Sequence, residues 1–274
     1  MVKTGILGCG NIGGAVIEAI VSGKIEAQLV AIVDLQLIDS ARRILELSAG
    51  KIKYYRDPLE LVDLDIDVVF EAANPAVVQE YALPLIKSGK DLILMSIGGL
   101  VDANLLEHLR QAARDAGKKI ILPAGAISGI STLKAASLCG ELDEVIIKTT
   151  KAPRGLAGAP LLANNAIDIG TFQEKTLIFE GNVVEAIAGF PRNVNVAAAV
   201  ALAGLGPKLT RVEIYADPNT ERTQHNVVAR GGFGELQLSL RVFPNPNNPK
   251  SSYLATLGAI SAFKQYTQEI IMGL

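Results

Sequence analysis

Residues 5–16 read GILGCGNIGGAV, an apolar strand followed by a glycine turn and the start of a helix. Within this stretch Gly8, Gly10 and Gly13 have the spacing G-x-G-x-x-G, which is typical of turns that hold a dinucleotide pyrophosphate at a helix N-terminus. Such a motif also requires an acidic residue about twenty positions further on, at the end of the second strand. Asp34 closes the run LVAIVD and meets that requirement. The pattern favours a nucleotide-binding site over the alternative, a plain glycine turn beside a surface aspartate.

The sequence from Thr4 to Pro123 alternates short apolar runs with amphipathic stretches. Strands that are apolar throughout and joined by helices are typical of a parallel sheet covered on both faces. We therefore predict an α/β domain at residues 1–123, with a doubly wound parallel sheet of Rossmann type. The predicted strands are 4–8, 29–34, 67–72, 91–96 and 119–124, and the predicted helices include 40–47, 76–87 and 102–116.

After Pro123 the pattern changes to the alternation of antiparallel strands with one wet face. The clearest example is ELQLSLRV, in which apolar and polar side chains alternate without interruption. We predict a second, α+β domain at residues 124–252, with an open and mainly antiparallel sheet. Further strands are predicted at TRVEIYA and DEVIIKTTK, and helices at 128–138 and 194–205. Asn182 and Asn193 are predicted N-caps, and FPNPNNPKSS is predicted as a loop. We expect a last helix from Tyr253 to Met272, within a terminal segment, 253–274, that packs on the first domain.

Composition excludes several classes of function. The chain has 274 residues, 49% of them hydrophobic, and a formal charge of −2. It therefore offers no basic stripe for phosphate backbones or anionic lipids, and no nucleic acid or membrane partner is expected. The apolar runs fall short of the ~20 residues of a bilayer span and the N-terminus lacks a leader pattern, so we expect a cytoplasmic protein. Cys9 and Cys139 have the spacing of neither a disulfide framework nor a metal site, so both are expected to be reduced and no metal is expected.

The acidic residue after the second strand also bears on the cofactor. A carboxylate at Asp34 suits the hydroxyls of an adenosine ribose and repels a 2′-phosphate, which favours NAD over NADP, while Arg42 and Arg43 nearby would soften that preference. Ligands of open α/β sheets bind outside the carboxyl ends of the strands, and AANP, SIGGL and AGAISG follow three such ends. The alternative is that each is an ordinary turn. The predicted cofactor-binding residues here are Gly8, Gly10, Asn11, Ile12, Gly13, Asp34, Ala73 and Ser96.

Hydride transfer needs an acid or base for the coupled proton, and histidine is the usual candidate near neutral pH. The chain has two histidines. His108 lies on the polar face of an amphipathic helix, so we interpret it as a solvated side chain. His225 lies between a turn-prone stretch and a strand, and Arg222 and Arg230 flank it. Such a cluster suits a dianionic substrate, because arginine binds carboxylates and histidine carries the proton; the alternative is a polar hairpin end.

Along most of its length the chain resembles the L-aspartate dehydrogenase family. The stretches that carry the resemblance are GCGNIG, SIGGL, PAGAISGI, TTKAP, FEGNVVEAIAGFPRNVNVAAAVALAGLG, YADP, HNVVARGGFGE and NPKSS. The resemblance implies oxidation of L-aspartate to iminoaspartate with NAD(P), hydrolysis to oxaloacetate and ammonia, and a supply of iminoaspartate for NAD biosynthesis. It also implies a homodimer, His225 as the catalytic residue, and Ala126 and Asn195 as contacts on the nicotinamide side.

A dicarboxylic substrate requires groups that bind its carboxylates. The residue pattern leaves two sets of candidates unranked: Arg222 with Arg230, and Lys250 with Ser251 and Ser252. Both sets lie in the predicted second domain.

Three positions depart from the usual family pattern. Gln224 stands where asparagine is general and would alter the orientation of the imidazole, Gly99 stands where alanine is common and would loosen its loop, and Ser251 replaces threonine but keeps the hydroxyl.

Two other functions remain open. One is another two-domain reductase, similar to dihydrodipicolinate reductase or homoserine dehydrogenase, although the histidine- and lysine-rich motif of the former is missing from the sequence. The other is a protein that senses NAD without catalysis.

Overall fold

The computed structural model describes residues 1–191, 195–246 and 248–272, with 248–251 described by their backbone. The chain divides into two compact units, Met1–Pro123 with Thr256–Leu274 and Ala124–Ala255. In the described ranges, none of the helices combines the length and the apolar character needed to cross a membrane.

The first unit contains a six-stranded sheet in the order β3-β2-β1-β4-β5-β6, and every neighbouring pair is parallel. This strand order is that of the dinucleotide-binding doubly wound fold, so the predicted Rossmann-type sheet is confirmed. The strands are β1 Val2–Leu7, β2 Ala27–Val33, β3 Lys53–Tyr55, β4 Val68–Glu71, β5 Asp91–Leu94 and β6 Ile120–Ile121, and the helices are α1 Asn11–Val21, α2 Asp39–Leu47, α3 Pro75–Lys87 and α4 Ala103–Ala116.

The central strands of this sheet are buried on both faces, as their continuous apolar sequence requires. Residues of β1, β4 and β5 such as Ile6, Phe70 and Ile93 have no exposed surface. The helices that follow begin at side-chain caps: the Asn74 side chain accepts a hydrogen bond from the Val77 amide, and Asp102 does the same for two amides of α4. Strand β3 was not predicted, because three residues are too few to show a period.

The second unit contains a five-stranded sheet in the order β11-β10-β7-β9-β8. Three of its pairings are antiparallel and one, β7 with β9, is parallel, so the predicted open and mainly antiparallel sheet is confirmed. The elements of this unit are α5 Ile130–Leu138, β7 Glu144–Lys151, α6 Pro160–Asn164, β8 Thr176–Asn182, α7 Val183–Gly189, α8 Asn195–Ala203, β9 Arg211–Ala216, β10 Thr223–Gly231 and β11 Gly234–Val242.

One end of this unit differs from the sequence prediction. Residues 243–252, predicted as a loop, form a small antiparallel ladder of β12 Pro244–Asn245 and β13 Asn248–Ser252. Prolines are tolerated there because the pair forms a separate two-stranded ladder. Asn182 caps α7 as predicted, since its side chain and that of Glu185 bond each other's backbone amides. The predicted cap at Asn193 lies outside the described residues.

The terminal helix, α9 Tyr253–Tyr266, ends six residues before the predicted boundary at Met272. Its inner face packs in the first unit. The ring of Phe263 stacks on that of Phe70 with centroids 5.6 Å apart and planes within 4°. One turn further on, the hydroxyl of Tyr266 donates a hydrogen bond of 2.7 Å to the carboxylate of Asp91. These contacts fix α9 against the strands β4 and β5.

Candidate active site

The glycine turn between β1 and α1 requires glycine at two positions for packing. Gly8 has a φ of +93°, and a Cβ there would lie 2.7 Å from the amide nitrogen of Ala73. A Cβ on Gly13 would overlap the carbonyl oxygen of Gly8. A Cβ on Gly10 would meet nothing within 4 Å, so that position faces open space. Glycine at this open position lets a pyrophosphate approach the backbone at the start of α1, where Asn11 and Ile12 follow.

Asp34 lies beside this turn. Its Oδ2 accepts a hydrogen bond of 2.7 Å from the Cys9 amide, and its Oδ1 accepts one of 3.1 Å from the Gln36 amide. A carboxylate has about four acceptor positions, so two such bonds leave capacity for ribose hydroxyls. The turn and the acid therefore fit a dinucleotide at the positions the sequence predicted.

A surface pocket next to Asp34 bears on the choice between NAD and NADP. Arg42 from α2 and Arg56, which follows β3, both line it, whereas Arg43 does not. Guanidinium groups bind phosphate well, so this pocket fits a 2′-phosphate as well as a free ribose. Sequence reasoning named Arg42 but missed Arg56, because the short strand β3 gave no signal. The remaining lining residues are Leu35, Gln36, Leu37 and Tyr54.

The predicted cofactor residues Ala73 and Ser96 are held together by a side chain that the sequence analysis missed, Glu71. Only 1% of Glu71 is exposed. Its Oε1 accepts hydrogen bonds of 2.7 Å from the Ala73 amide and from the Ser96 hydroxyl, and its Oε2 accepts one of 3.0 Å from the Ser96 amide. Burial raises the pKa of Glu71, and these hydrogen bonds oppose the rise. The signal for Glu71 was an acidic residue inside the otherwise apolar run VVFEA.

Backbone contacts bring three of the predicted loops together in the first unit. Gly8 lies against the backbone of Ala73, as noted above. Gly99 lies against the other end of that same loop, since a Cβ on Gly99 would be 2.6 Å from the carbonyl oxygen of Pro75. Gly99 is buried, and its missing side chain lets the two loops pack closely. The expectation that this glycine loosens its loop is therefore not met.

The candidate catalytic residue, His225, lies within β10 and not before it, which corrects the predicted start of the strand. It pairs with Thr149 of β7 and Leu240 of β11. Only 3% of its surface is exposed, and its Nδ1 lies 3.0 Å from the Thr149 hydroxyl. Burial, with a smaller effect from the charge of Lys151, lowers the pKa of His225 to about 3. The imidazole is therefore neutral near pH 7, and when Nδ1 donates to Thr149 its Nε2 has a free lone pair.

The residue before it does not orient the imidazole. Gln224 points to the opposite face of the sheet by strand alternation, and its side-chain amide lies 3.4 Å from the Thr220 hydroxyl. The departure from asparagine at this position therefore leaves the contact between Thr149 and His225 unchanged.

The two flanking arginines lie in different places. Arg222 is at the same end of the sheet as His225, and its guanidinium stacks 4.1 Å from the centroid of the Phe243 ring. Arg230 is five residues further along β10, on the opposite face, and bonds Glu235 at 2.6 Å and Glu144 at 2.7 Å. The structure thus does not bring Arg230 to His225, contrary to the predicted cluster. The cause is strand geometry: residues an odd number of positions apart in a strand point to opposite faces of the sheet, and Arg230 is five positions from His225.

The other predicted residues are placed separately in the second unit. Ala126 is buried in the turn before α5, and Asn195 is exposed at the first position of α8. The Oγ of Ser252 is buried and has no hydrogen-bond partner among the described residues. The side chains of Lys250 and Ser251 lie outside the described part. His108 is exposed on α4, as predicted.

No metal centre accompanies these groups in the described ranges, where no three histidine, cysteine or acidic side chains are placed to hold an ion. A glycine turn on a Rossmann sheet, an acid after the second strand and a buried imidazole on a second sheet are the features of two-domain, nicotinamide-dependent oxidoreductases.

Comparison with known proteins narrows this class. Residues 8–123 match the family "Homoserine dehydrogenase, NAD binding domain", and residues 132–266 match "Aspartate dehydrogenase, C-terminal". The chain is 38% identical to the L-aspartate dehydrogenase of Methanosarcina barkeri, with all of both chains covered. It is 37% identical to that of Nitrosopumilus maritimus, with 99% of this chain and 98% of the relative covered. The chain belongs to the L-aspartate dehydrogenase family and carries an NAD-binding domain.

Solved structures support the fold. The crystal structure of aspartate dehydrogenase from Thermotoga maritima matches with a TM-score of 0.75 at 24% identity, and all of both chains is covered. Scyllo-inositol dehydrogenase from Lactobacillus casei matches with a TM-score of 0.56 at 17% identity, over all of this chain and 91% of that one.

Proposed function

We propose that the chain oxidises L-aspartate to iminoaspartate with NAD(P), and that water then converts the imine to oxaloacetate and ammonia. The observation that carries the proposal is the His225 imidazole, which is buried, neutral and fixed at Nδ1 by Thr149. Support for the substrate comes from the L-aspartate dehydrogenases to which the chain is similar over its full length. We assign cofactor binding to residues 1–123 and substrate binding to residues 124–252.

The reaction removes a hydride from Cα and a proton from the substrate nitrogen. When bound, NAD(P) supplies the acceptor for that hydride. Gly10 would let the pyrophosphate approach the start of α1, in the turn that Gly8 and Gly13 make possible, and Asp34 would accept hydrogen bonds from the adenosine ribose. Ala73 and Ser96, which Glu71 fixes, would contact the cofactor as well. Ala126 and Asn195 are proposed as further contacts on the nicotinamide side.

His225 carries the proton. Its Nε2 accepts a proton from the substrate ammonium, so that the nitrogen lone pair forms the imine bond as the hydride leaves Cα. The same nitrogen, once free again, takes a proton from the water that attacks the imine carbon. Thr149 holds the ring during both steps, because its hydroxyl remains on Nδ1. Arg222, Ser252, Lys250 and Ser251 remain candidates for the substrate carboxylates, whereas the ion pairs of Arg230 favour a structural role for it.

The wider setting follows from the product. Iminoaspartate hydrolyses quickly, so we propose that a pathway for NAD biosynthesis takes it up before it reacts with water.

We also propose a cytoplasmic homodimer. Its support is the family resemblance together with exposed apolar side chains in the second unit, among them Leu209 and Phe243.

The experiment follows NADH absorbance with L-aspartate and NAD⁺, and in reverse with oxaloacetate, ammonia and NADH. We expect turnover in both directions. His225→Ala is expected to lower kcat by about 10²-fold or more with nearly unchanged affinity for NAD⁺. Binding of NAD⁺ without turnover of aspartate would support the sensing alternative, and full activity of His225→Ala would remove the imidazole from the mechanism.

A further inference from the structure

Lys151 is the last residue of β7 and lies on the same face of the sheet as His225. Residues of β7 alternate between faces, so Thr149 and Lys151 share one face and Lys148 points to the other. Thr149 is directly opposite His225, which makes Lys151 the diagonal neighbour of the imidazole. Among the described strand residues of the five-stranded sheet, Lys151 is the only lysine or arginine on this face.

Lys151 also lies at the end of the sheet where polar groups collect. Its partner on β9 is Ala216, the last residue of that strand, and β10 starts beside it at Thr223. Arg222 precedes this end and its guanidinium is stacked on Phe243. Lys151 is thus a cation on the same face as the imidazole and the Thr149 hydroxyl.

The electrostatics agree with this placement. The charge of Lys151 contributes to the lowered pKa of His225, as expected for two groups at short range. Burial lowers the pKa of Lys151 itself to about 8. The ammonium is therefore mostly charged at neutral pH, and a carboxylate that binds close to it is stabilised by that charge.

We infer that Lys151 binds a carboxylate of the dicarboxylic substrate beside His225. The inference rests on the proposed function, because it presupposes a dicarboxylate at this imidazole. Lys151 is not among the residues that the sequence predicts for this role, which are Arg222, Arg230 and residues 250–252. A carboxylate on Lys151 screens its charge from the imidazole, so substrate binding also makes His225 a better proton acceptor.

The test measures binding of succinate, which has the two carboxylates of aspartate but cannot be oxidised at an amine. The full chain is saturated with NAD⁺ and titrated calorimetrically as wild type, Lys151→Met, Lys151→Arg and Lys148→Met. Lys151→Met keeps the length of the side chain and removes its charge. Lys148→Met is the matched control: it removes a lysine from the same strand on the opposite face, where Glu213 keeps its contacts with Arg211 and Tyr215.

We expect Lys151→Met to weaken succinate binding and to raise the KM for L-aspartate, each by at least about tenfold. Lys151→Arg should retain most of the affinity and Lys148→Met all of it. The ring-proton NMR signals of His225 give a second readout: the pKa of His225 should rise in Lys151→Met, because the nearby positive charge is removed. Unchanged succinate affinity in a folded Lys151→Met protein overturns the inference.

A wild-type measurement covers the case in which Lys151→Met does not fold. The affinity for succinate should fall as pH rises through about 8, where Lys151 loses its proton; a flat profile from pH 7 to 9.5 overturns the inference. The proposed function fails separately. Succinate binding that depends on Lys151, without turnover of L-aspartate, contradicts the activity but supports the carboxylate site.

Discussion

The Thr149 hydroxyl oxygen lies 3.0 Å from Nδ1 of His225, across the pairing of strands β7 and β10. Seventy-six positions separate the two residues in the sequence. Both are buried, so little else competes for this contact. The hydroxyl fixes the ring and leaves Nε2 as the nitrogen that can exchange a proton, which is how a second group commonly orients a catalytic base.

Thr149→Val should therefore lower kcat while changing the KM for NAD⁺ little. Valine has the same shape as threonine but offers no hydrogen bond, so Nδ1 is left buried and unpaired and the tautomer is no longer fixed. We expect a loss of about tenfold to a hundredfold in kcat, measured from NADH formation. Thr149→Ser keeps the hydroxyl and should retain most of the activity. Equal activity of the valine and serine variants would show that the contact has no role in proton transfer.

The buried histidine also predicts a dependence of stability on pH. Its pKa is about 3 in the folded chain, mainly through burial, against about 6.5 in an unfolded chain. Between these values the unfolded state binds the extra proton, so stability falls as pH is lowered through this range, by up to about 1.4 kcal/mol per pH unit. More than about one pH unit above 6.5 the group contributes almost no pH dependence.

Urea unfolding of wild type and His225→Gln at pH 7 and at pH 5 measures this effect. Glutamine does not titrate, so the free energy of unfolding should fall less on acidification in the variant. The difference should reach up to about 1.4 kcal/mol for each pH unit below 6.5. His108→Gln is the control, since that side chain is exposed. The same acid sensitivity in His225→Gln and wild type would mean that other groups cause it.

Glu71→Gln tests whether the cofactor loops depend on one buried carboxylate. Two backbone amides, of Ala73 and Ser96, point at its two oxygens. A glutamine offers only one oxygen, so in either orientation its NH₂ group faces an amide donor. We expect a loss of about 1–3 kcal/mol in stability, and weaker NAD⁺ binding because both loops shift.

Binding of NAD⁺ by calorimetry and thermal unfolding check this prediction together. Glu107→Gln, on the exposed face of α4, is the control for the charge change. Stability lost without any change in NAD⁺ affinity would limit Glu71 to a structural role.

The sequence was sufficient for the Rossmann sheet, because its strands are apolar runs and its glycine turn has a fixed spacing. It was sufficient for β11 because polar and apolar residues alternate there. The register of the strands could not be predicted from the sequence. No local pattern shows that Thr149 and Lys151 lie beside His225, or that Arg230 faces away from it. Those relations depend on how two distant strands pair. The prolines of residues 243–252 predict a loop, and the two-residue strand β12 is too short to show a period.

Arg56 is expected to support the use of NADP. It lines the pocket beside Asp34 together with Arg42, and neither makes an ion pair among the described residues. A 2′-phosphate in this pocket would gain one or two charge-assisted hydrogen bonds, while a free ribose would not. Arg56→Ala should therefore raise the KM for NADP⁺ by about tenfold and leave that for NAD⁺ nearly unchanged. Arg43→Ala is the matched control, because Arg43 neighbours Arg42 on α2 but does not line the pocket. An equal change with both cofactors would place Arg56 outside the recognition of the phosphate.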